Sequence, residues 1–273
     1  MVSQEQRRRQ LAREKFLRQQ QRRTEMRRKA RTRNSVIASA LAVVVVGGLV
    51  SFTTGVFTND DKKANAGAEV TPSASAPSKA PDPCEKPASG KVKSLSWKKE
   101  PAMTIDTSAE YTMKLATTCG DIGIAMKTAA APHTVNSFDF LTKQGFFDHT
   151  KCHRLTTNGI YVLQCGDPQG TGAGGPGYTI PDENLKDKSL KANVYPAGTV
   201  AMANTGQQHT GGSQFFLVYQ DSQLPPSYTP FGTIDTAGMA VLKKIAAAGE
   251  STGAGDGAPN ATVVINKATV TKS

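Results

Sequence analysis

Hydrophobic and polar residues alternate in two neighbouring stretches near the middle of the chain. In residues 110–117 every second side chain is apolar, and the alternation resumes in residues 122–126. A period of two predicts a strand with one buried face. The intervening segment 118–121 contains a glycine and an aspartate, which are typical of turns. We therefore predict a β-hairpin over residues 110–126.

Two longer stretches have the spacing of amphipathic helices. The first runs from Pro132 to Gly145, and the second covers 237–248 and stops at Gly249. Proline is favoured at the start of a helix and glycine just beyond its end. Six apolar side chains are predicted to face the core: Val135, Phe138 and Leu141 from the first helix, and Val241, Leu242 and Ile245 from the second.

The remaining apolar runs are short. They cover 160–164, 198–203 and 214–219, and a last predicted strand covers 262–270. Many short strands with only two helices predict a mainly β fold, in which an antiparallel sheet is closed or sandwiched. A parallel α/β fold is not expected.

Positive charge is concentrated at the start of the chain. Residues 1–34 contain 13 Lys+Arg against 3 Glu, whereas the rest of the chain contains 20 Lys+Arg against 19 Asp+Glu. The bulk of the protein is therefore almost neutral, and nucleic acid is not an expected partner. A mean hydropathy of -0.38 also argues against a multi-pass membrane protein.

An uncharged apolar run follows the basic arm. About 20 apolar residues span a bilayer, so residues 35–57 predict one transmembrane helix. The basic arm, 1–34, then lies in the cytoplasm, and the remainder is outside the cell membrane. The competing interpretation is a secretory signal cleaved near Ala64-Asn65-Ala66. We favour the anchor because the basic lead and the apolar run are both longer than those of signal peptides.

Residues 58–100 are rich in Pro, Ala and Ser, which predicts a linker, and 101–273 form the predicted folded domain. The only tryptophan, Trp97, marks the return of apolar side chains, so the domain starts at about Leu95 or at Pro101. All four cysteines lie on the predicted exported side, where disulfides form. Four cysteines allow three connectivities. The predicted strands make Cys152–Cys165 the local pair and leave Cys84–Cys119 to join the linker to the first hairpin.

Several common catalytic patterns are missing. His149, Cys152 and His153 do not have zinc-ligand spacing. The glycine-rich segment 166–177 lacks the Gly-Lys-Ser/Thr of a phosphate loop, and Ser213 is not in a nucleophile elbow. We expect no metal and no cofactor.

Two separated motifs carry a specific signal. The first is Cys152-His153-Arg154-Leu155 followed by residues 161–167, and the second is Met202-Ala203-Asn204 followed by Gly-Gly-Ser-Gln-Phe-Phe-Leu at 211–217. In this order they resemble the cyclophilin family of peptidyl-prolyl cis–trans isomerases, over residues 110–270. With the anchor, the chain is similar to membrane-attached cyclophilins of high-GC Gram-positive bacteria. The resemblance implies a closed eight-stranded antiparallel barrel capped by two helices.

The resemblance also implies a function and a set of site residues. The function is isomerisation of X–Pro bonds in exported polypeptides; the alternative is a tethered chaperone or proline-peptide binding module of the same fold. Arg154 is the implied catalytic residue, donating a hydrogen bond to the prolyl nitrogen. The implied substrate-binding residues are Tyr161, Val162, Gln164, Ala203, Asn204, Gln214, Phe216, Leu224 and Tyr228.

The sequence departs from the family pattern at three places. Two extra residues fall within 156–159, beside Arg154, and one falls within 207–210. Gln223 stands where animal members have tryptophan, so strong binding of cyclosporin is not expected. We expect the protein to act as a monomer, on proline-containing segments of exported chains at the cell membrane.

Overall fold

A computed structural model of the protein describes residues 81–273. Its two α-helices are α1, Pro132–Lys143, and α2, Thr236–Ala247. The strands are β1 Tyr111–Thr117, β2 Gly120–Met126, β3 Thr150–Lys151, β4 Arg154–Thr156, β5 Val162–Cys165, β6 Val194–Tyr195, β7 Thr199–Met202, β8 Phe215–Val218, β9 Ser222–Gln223, β10 Pro230–Ile234, β11 Asp256–Gly257 and β12 Val264–Lys272. The predicted arm at 1–34 and the predicted transmembrane helix at 35–57 lie outside the described residues.

Within 81–273, no helix has both the length and the apolar character needed to cross a membrane.

The strands form an antiparallel sheet in the order β11-β4-β5-β8-β7-β10-β2-β1-β12-β3, and β6 pairs separately with β9. The hairpin predicted at 110–126 is confirmed, because β1 and β2 pair from Tyr111 opposite Met126 to Thr117 opposite Gly120. The mainly β, antiparallel fold with two α-helices is likewise confirmed for the described part of the chain.

The sheet curls, but its strand order differs from the predicted ring of eight. In the described residues the order has ten strands and two ends, β11 and β3. Only Cys152 and His153 separate β3 from β4; the Cys152 N–H donates to the Val263 carbonyl (2.9 Å) and the His153 N–H to that of Gln164 (3.1 Å). The described strands therefore form one curled sheet with two ends, and the closed eight-stranded barrel implied by the motifs is not confirmed.

Both helices contribute to the core, with one difference from the prediction. The predicted α1 residues Val135, Phe138 and Leu141 are fully buried, as are Leu242 and Ile245 of α2. Val241 is only partly buried, because it lies at the edge of the core next to the turn that joins β1 to β2.

The segment before residue 101 packs on the domain. The Trp97 ring lies 5.0 Å from that of Phe140 in α1, in an edge-on arrangement. The Trp97 N–H also donates to the Pro176 carbonyl (2.8 Å). The boundary predicted at residue 100 therefore falls after a segment that already belongs to the packed unit.

The structure contains both disulfides in the predicted pairing, Cys84–Cys119 and Cys152–Cys165. The first joins the segment before the domain to the β1–β2 turn. The second joins Cys152, which lies two residues before β4, to Cys165, the last residue of β5, on the core side of the sheet.

Candidate functional site

Four adjacent strands place the central site residues in one row. Arg154 on β4 lies opposite Gln164 on β5, Gln164 lies opposite Phe216 on β8, and Phe216 lies opposite Ala201 on β7. Residues directly opposite one another in an antiparallel sheet project from the same face. The other face of these strands enters the main core with four fully buried side chains: Leu155, Leu163, Val200 and Leu217.

The row borders a small pocket of about 110 Å³. Its lining residues come from β4, β5, β8 and the loops that follow β4, β7 and β9: Arg154, Ile160, Val162, Gln164, Ala203, Asn204, Phe216, Leu224 and Tyr228. Eight of these nine are site residues implied by the sequence motifs. Ile160 is the addition.

Tyr161 does not line this pocket, although the motif placed it there. Its ring packs edge-on against that of Tyr219, with centroids 5.9 Å apart, and its N–H donates to the Ser222 hydroxyl (2.8 Å). Side chains alternate between the two faces of an extended chain. Ile160 and Val162 face the pocket, so Tyr161 between them faces away from it. Ile160 therefore forms the part of the pocket wall that was expected of Tyr161.

A network of polar side chains holds Arg154. Its Nε donates to Asp256 Oδ1 (2.7 Å), its Nη2 to Asp256 Oδ2 (2.8 Å) and its Nη1 to Gln164 Oε1 (3.2 Å). The network continues from Gln164 Nε2 to Gln214 Oε1 (2.9 Å) and from Gln214 Nε2 to the Gly174 carbonyl (2.8 Å). Hydrogen bonds to Asp256 raise the pKa of Arg154 above its already high value. The guanidinium is therefore always charged.

Asp256 was not identified from the sequence. It lies 102 residues after Arg154, on a two-residue strand with no hydrophobic pattern. Gln214, which the motifs imply as a substrate-binding residue, does not line the small pocket. It belongs to the hydrogen-bond network and lines a neighbouring groove.

The apolar side of the pocket rests on a second, smaller hydrophobic cluster. Phe216 is 5% exposed and its ring packs edge-on against that of Tyr228, with centroids 5.4 Å apart. Tyr195 is fully buried beside them and donates from its hydroxyl to the Tyr228 carbonyl (2.8 Å). Burial raises the pKa of Tyr195 to about 12. Tyr195, which the motifs did not indicate, therefore supports the pocket as a neutral hydrogen-bond donor.

Asn204 connects the loops that form the rim of the pocket. Its Nδ2 donates to the Ser227 carbonyl (2.8 Å), and its Oδ1 accepts from the Gly206 N–H (2.9 Å). Leu224 is held similarly through its backbone, whose N–H donates to the Asn193 carbonyl (2.9 Å). The rim therefore consists of loops fixed to one another by hydrogen bonds.

A groove of about 920 Å³ adjoins the small pocket and shares Gln164, Ala203 and Asn204 with it. One wall is the glycine-rich segment 172–179, and residues 98–100 also line the groove. An elongated ligand with one apolar group in the pocket would thus have space for its neighbouring groups.

Asp167 organises the glycine-rich wall. Its Oδ2 accepts from the N–H groups of Thr171 (2.8 Å) and Gly172 (2.6 Å), and its Oδ1 from that of Gln169 (2.7 Å). Burial would raise the pKa of Asp167, but these N–H donors lower it below the usual value. The segment considered above as a phosphate loop is thus a structural loop folded around a carboxylate.

A model of the family described as cyclophilin type peptidyl-prolyl cis-trans isomerase/CLD matches residues 112–270, more than half of the chain. A probable peptidyl-prolyl cis-trans isomerase B of Mycobacterium leprae is 50% identical over 195 residues, which cover 68% of this chain and 62% of that protein. A protein with the same description from Mycobacterium tuberculosis H37Rv is 45% identical over 197 residues, covering 69% and 60%. The chain thus spans about three fifths of the length of these relatives.

One solved structure extends the likeness to the fold. A crystal structure of a cyclophilin type peptidyl-prolyl cis-trans isomerase from Cryptosporidium parvum matches with a TM-score of 0.50 and 25% sequence identity. The match covers 60% of this chain and 99% of that chain. The similarity therefore extends over nearly all of that smaller protein.

Proposed function

Because this chain belongs to the cyclophilin-type peptidyl-prolyl cis–trans isomerase family, we propose that it accelerates rotation about X–Pro bonds in polypeptides. One observation carries the proposal: a permanently charged arginine, Arg154, is fixed by hydrogen bonds at the wall of a small pocket whose other side is apolar. The pocket accepts the proline ring, and the adjoining groove accepts the residues next to it in the chain.

The reaction requires no bond to be made or broken. Amide resonance must be lost as the X–Pro bond twists, and uncatalysed isomerisation takes tens to hundreds of seconds. The twisted amide differs from the planar one in having a lone pair on the prolyl nitrogen. A donor directed at that lone pair stabilises the transition state more than the ground state, which is the condition for catalysis.

Arg154 has donors left for this task. A guanidinium has five N–H groups. Two of them bind Asp256 and one binds Gln164, so one remains on Nη1 and one on Nη2. On the other side of the pocket, Phe216 and Leu224 offer apolar surface to the proline ring. The ring is held while the amide rotates beside the guanidinium.

The test is direct. Purified full-length protein is added to a chromogenic peptide containing an Ala-Pro-Phe sequence, and a protease that cleaves only the trans isomer reports the rate of cis-to-trans conversion. We expect the rate to rise in proportion to protein concentration. No acceleration at micromolar protein, with the fold verified by circular dichroism, would contradict the proposal and favour a binding module instead.

We further propose that the clients are exported polypeptides and that the protein is anchored with its site outside the cytoplasm. The basic arm at 1–34, the uncharged run at 35–57 and the two disulfides support this, since disulfides persist in oxidising compartments. Protease added to intact cells should digest the isomerase domain and leave the arm protected. A soluble mature form that begins near residue 67 would instead establish cleavage.

A further inference from the structure

The guanidinium of Arg154 is held in one plane by Asp256. The Nε and Nη2 atoms donate to the two carboxylate oxygens at 2.7 and 2.8 Å. Two parallel hydrogen bonds of this kind fix the orientation of a guanidinium as well as its position, whereas a single contact would leave it free to turn. The directions of the remaining N–H groups are thereby set.

Main-chain pairing places Asp256 beside Arg154. In the β11–β4 pair, Asp256 lies opposite Thr156 and Gly257 lies opposite Leu155. The Asp256 side chain is 56% exposed and that of Arg154 is 37% exposed. An ion pair so open to water contributes little to folding stability. The ion pair therefore affects the orientation of the Arg154 side chain rather than the stability of the fold.

A buried carboxylate folds the loop that carries Asp256. Glu250 is 8% exposed, and its Oε2 accepts from the N–H of Thr252 (2.6 Å) and from its hydroxyl (2.7 Å). Its Oε1 accepts from the Gly255 N–H (2.8 Å). Residues 250–257 are thus closed around Glu250, and Asp256 is presented from a structured loop.

The same loop contacts the insertion at 156–159. The Thr157 N–H donates to the Gly255 carbonyl (2.9 Å). Gly255 has a φ of +93°, and a Cβ there would lie 2.5 Å from Asn158 Cβ. Only glycine allows the loop to approach this closely. The insertion at 156–159, beside Arg154, therefore forms the surface on which the loop 250–257 packs.

We propose that Asp256 is a positioning residue for catalysis, held by the loop 250–257 and the insertion 156–159, and that it directs Arg154 toward the prolyl nitrogen. This inference rests on the proposed isomerase function. Asp256 acts only through Arg154 and does not touch the substrate. Its removal therefore slows the chemical step and leaves peptide affinity nearly unchanged.

The experiment combines kinetics with a double-mutant cycle in the full-length protein. Asp256→Asn keeps the shape of the side chain but loses the charge and one acceptor, and we expect kcat to fall about 10-fold while KM changes less than 2-fold. Asp256→Glu, which restores the carboxylate, should recover part of the loss. In an Arg154→Ala background, Asp256→Asn should have no further effect. The matched control is Asp121→Asn, which breaks an exposed Lys114–Asp121 ion pair (2.7 Å) on the β1–β2 hairpin.

Arg154 can also be observed without an assay. The Nε–H resonance of Arg154 in a ¹⁵N NMR spectrum should exchange slowly in the wild type and rapidly in Asp256→Asn. Unchanged kcat in Asp256→Asn, or an equal loss of activity in both Arg154 backgrounds, would overturn the positioning role while leaving the isomerase function intact. A wild type that does not isomerise, yet shows a protected Nε–H, would instead reject the proposed function.

Discussion

The two halves of the site are held together in different ways. In the polar half, hydrogen bonds link the partly exposed side chains of Asp256, Arg154, Gln164 and Gln214. The apolar half is a small core of its own, in which five packed side chains exclude water: Val162, Tyr195, Ala201, Phe216 and Val218. The polar half fixes the direction of a donor, and the apolar half fixes the shape of a cavity.

This difference predicts how the halves respond to mutation. An exposed ion pair contributes about 0–1 kcal/mol to stability, whereas truncating a large buried side chain costs about 3–5 kcal/mol. Variants of the polar half should therefore lose catalysis and keep the fold. Variants of the apolar half should lose both.

The largest catalytic effect is expected at Arg154. If its hydrogen bond strengthens only as the amide twists, Arg154→Ala should lower kcat/KM by about 100-fold, or roughly 2.7 kcal/mol of transition-state stabilisation. Peptide affinity, measured by NMR titration, should change much less. The melting temperature should remain close to that of the wild type.

Arg154→Lys is the control for this variant, since it keeps the charge but loses the planar fork that binds Asp256. Full activity in the lysine variant would mean that positive charge suffices, and the directed hydrogen bond would be the wrong explanation. Wild-type turnover in Arg154→Ala would contradict the isomerase mechanism itself.

Phe216 should show the opposite pattern. Phe216→Ala empties the apolar side of the pocket, so we expect KM to rise and kcat to fall, lowering kcat/KM roughly 10-fold or more. Because Phe216 is buried, the free energy of unfolding should also fall by about 3–5 kcal/mol in urea titrations. Phe216→Leu, which keeps much of the volume, should lie between the two. A Phe216→Ala protein of unchanged stability would contradict the description of this half as a core.

The two disulfides sharpen the comparison because only one of them borders the polar half. Replacing both cysteines of Cys152–Cys165 by serine should cost about 3 kcal/mol of stability, and replacing those of Cys84–Cys119 about 4 kcal/mol, since the enclosed segments differ in length. Only the first pair flanks Arg154 and Gln164, so only its loss should lower kcat/KM, by roughly 3-fold. Equal kinetic losses for both pairs would refute this distinction.

The smallest effect is expected from His153, next to Arg154. Burial of the ring lowers its pKa below the usual 6.5; Asp167 opposes this and Arg154 adds to it. A histidine with a depressed pKa in the folded state stabilises the fold fully above pH 6.5 and loses that contribution as the pH falls through its folded pKa. This contribution of His153 should therefore lower the melting temperature by about 2 °C between pH 7 and 5. His153→Gln should remove this dependence, and His209→Gln, at an exposed ring, should not.

Much of the fold could be predicted from the local pattern. Alternation located β1 and β2, and capping residues located α1 and α2 to within a few residues. The resemblance named eight residues of the pocket, of which Arg154, Val162, Gln164 and Phe216 lie on strands and the other four lie in loops that the local pattern does not reveal. Tyr161, which precedes β5, lies outside the pocket with its ring against Tyr219, a contact that the motif does not reveal.

Long-range contacts with no pattern of their own could not be predicted. Asp256 reaches Arg154 through a two-residue strand, and nothing in its neighbourhood distinguishes it from other surface carboxylates. Trp97 marks the return of apolar side chains in the sequence, but its packing against Phe140 of α1 could not be predicted. In both cases the contact is fixed by distant parts of the chain.

The Cys84–Cys119 disulfide determines where mechanical load enters the domain. A force that pulls on the chain before residue 84 passes through this bond into the β1–β2 turn and bypasses the segment 85–100. With the bond reduced, the same force would first break the hydrogen bonds from the Glu85 N–H to the Thr118 carbonyl (2.8 Å) and from the Ala88 N–H to Asn266 Oδ1 (3.0 Å), and would then pull Trp97 from the helix on which it packs. The cysteines are 35 residues apart, which corresponds to at most about 120 Å of extended chain. The redox state of Cys84 and Cys119 therefore determines which contacts of the domain break first under load and how far the chain before the domain can extend.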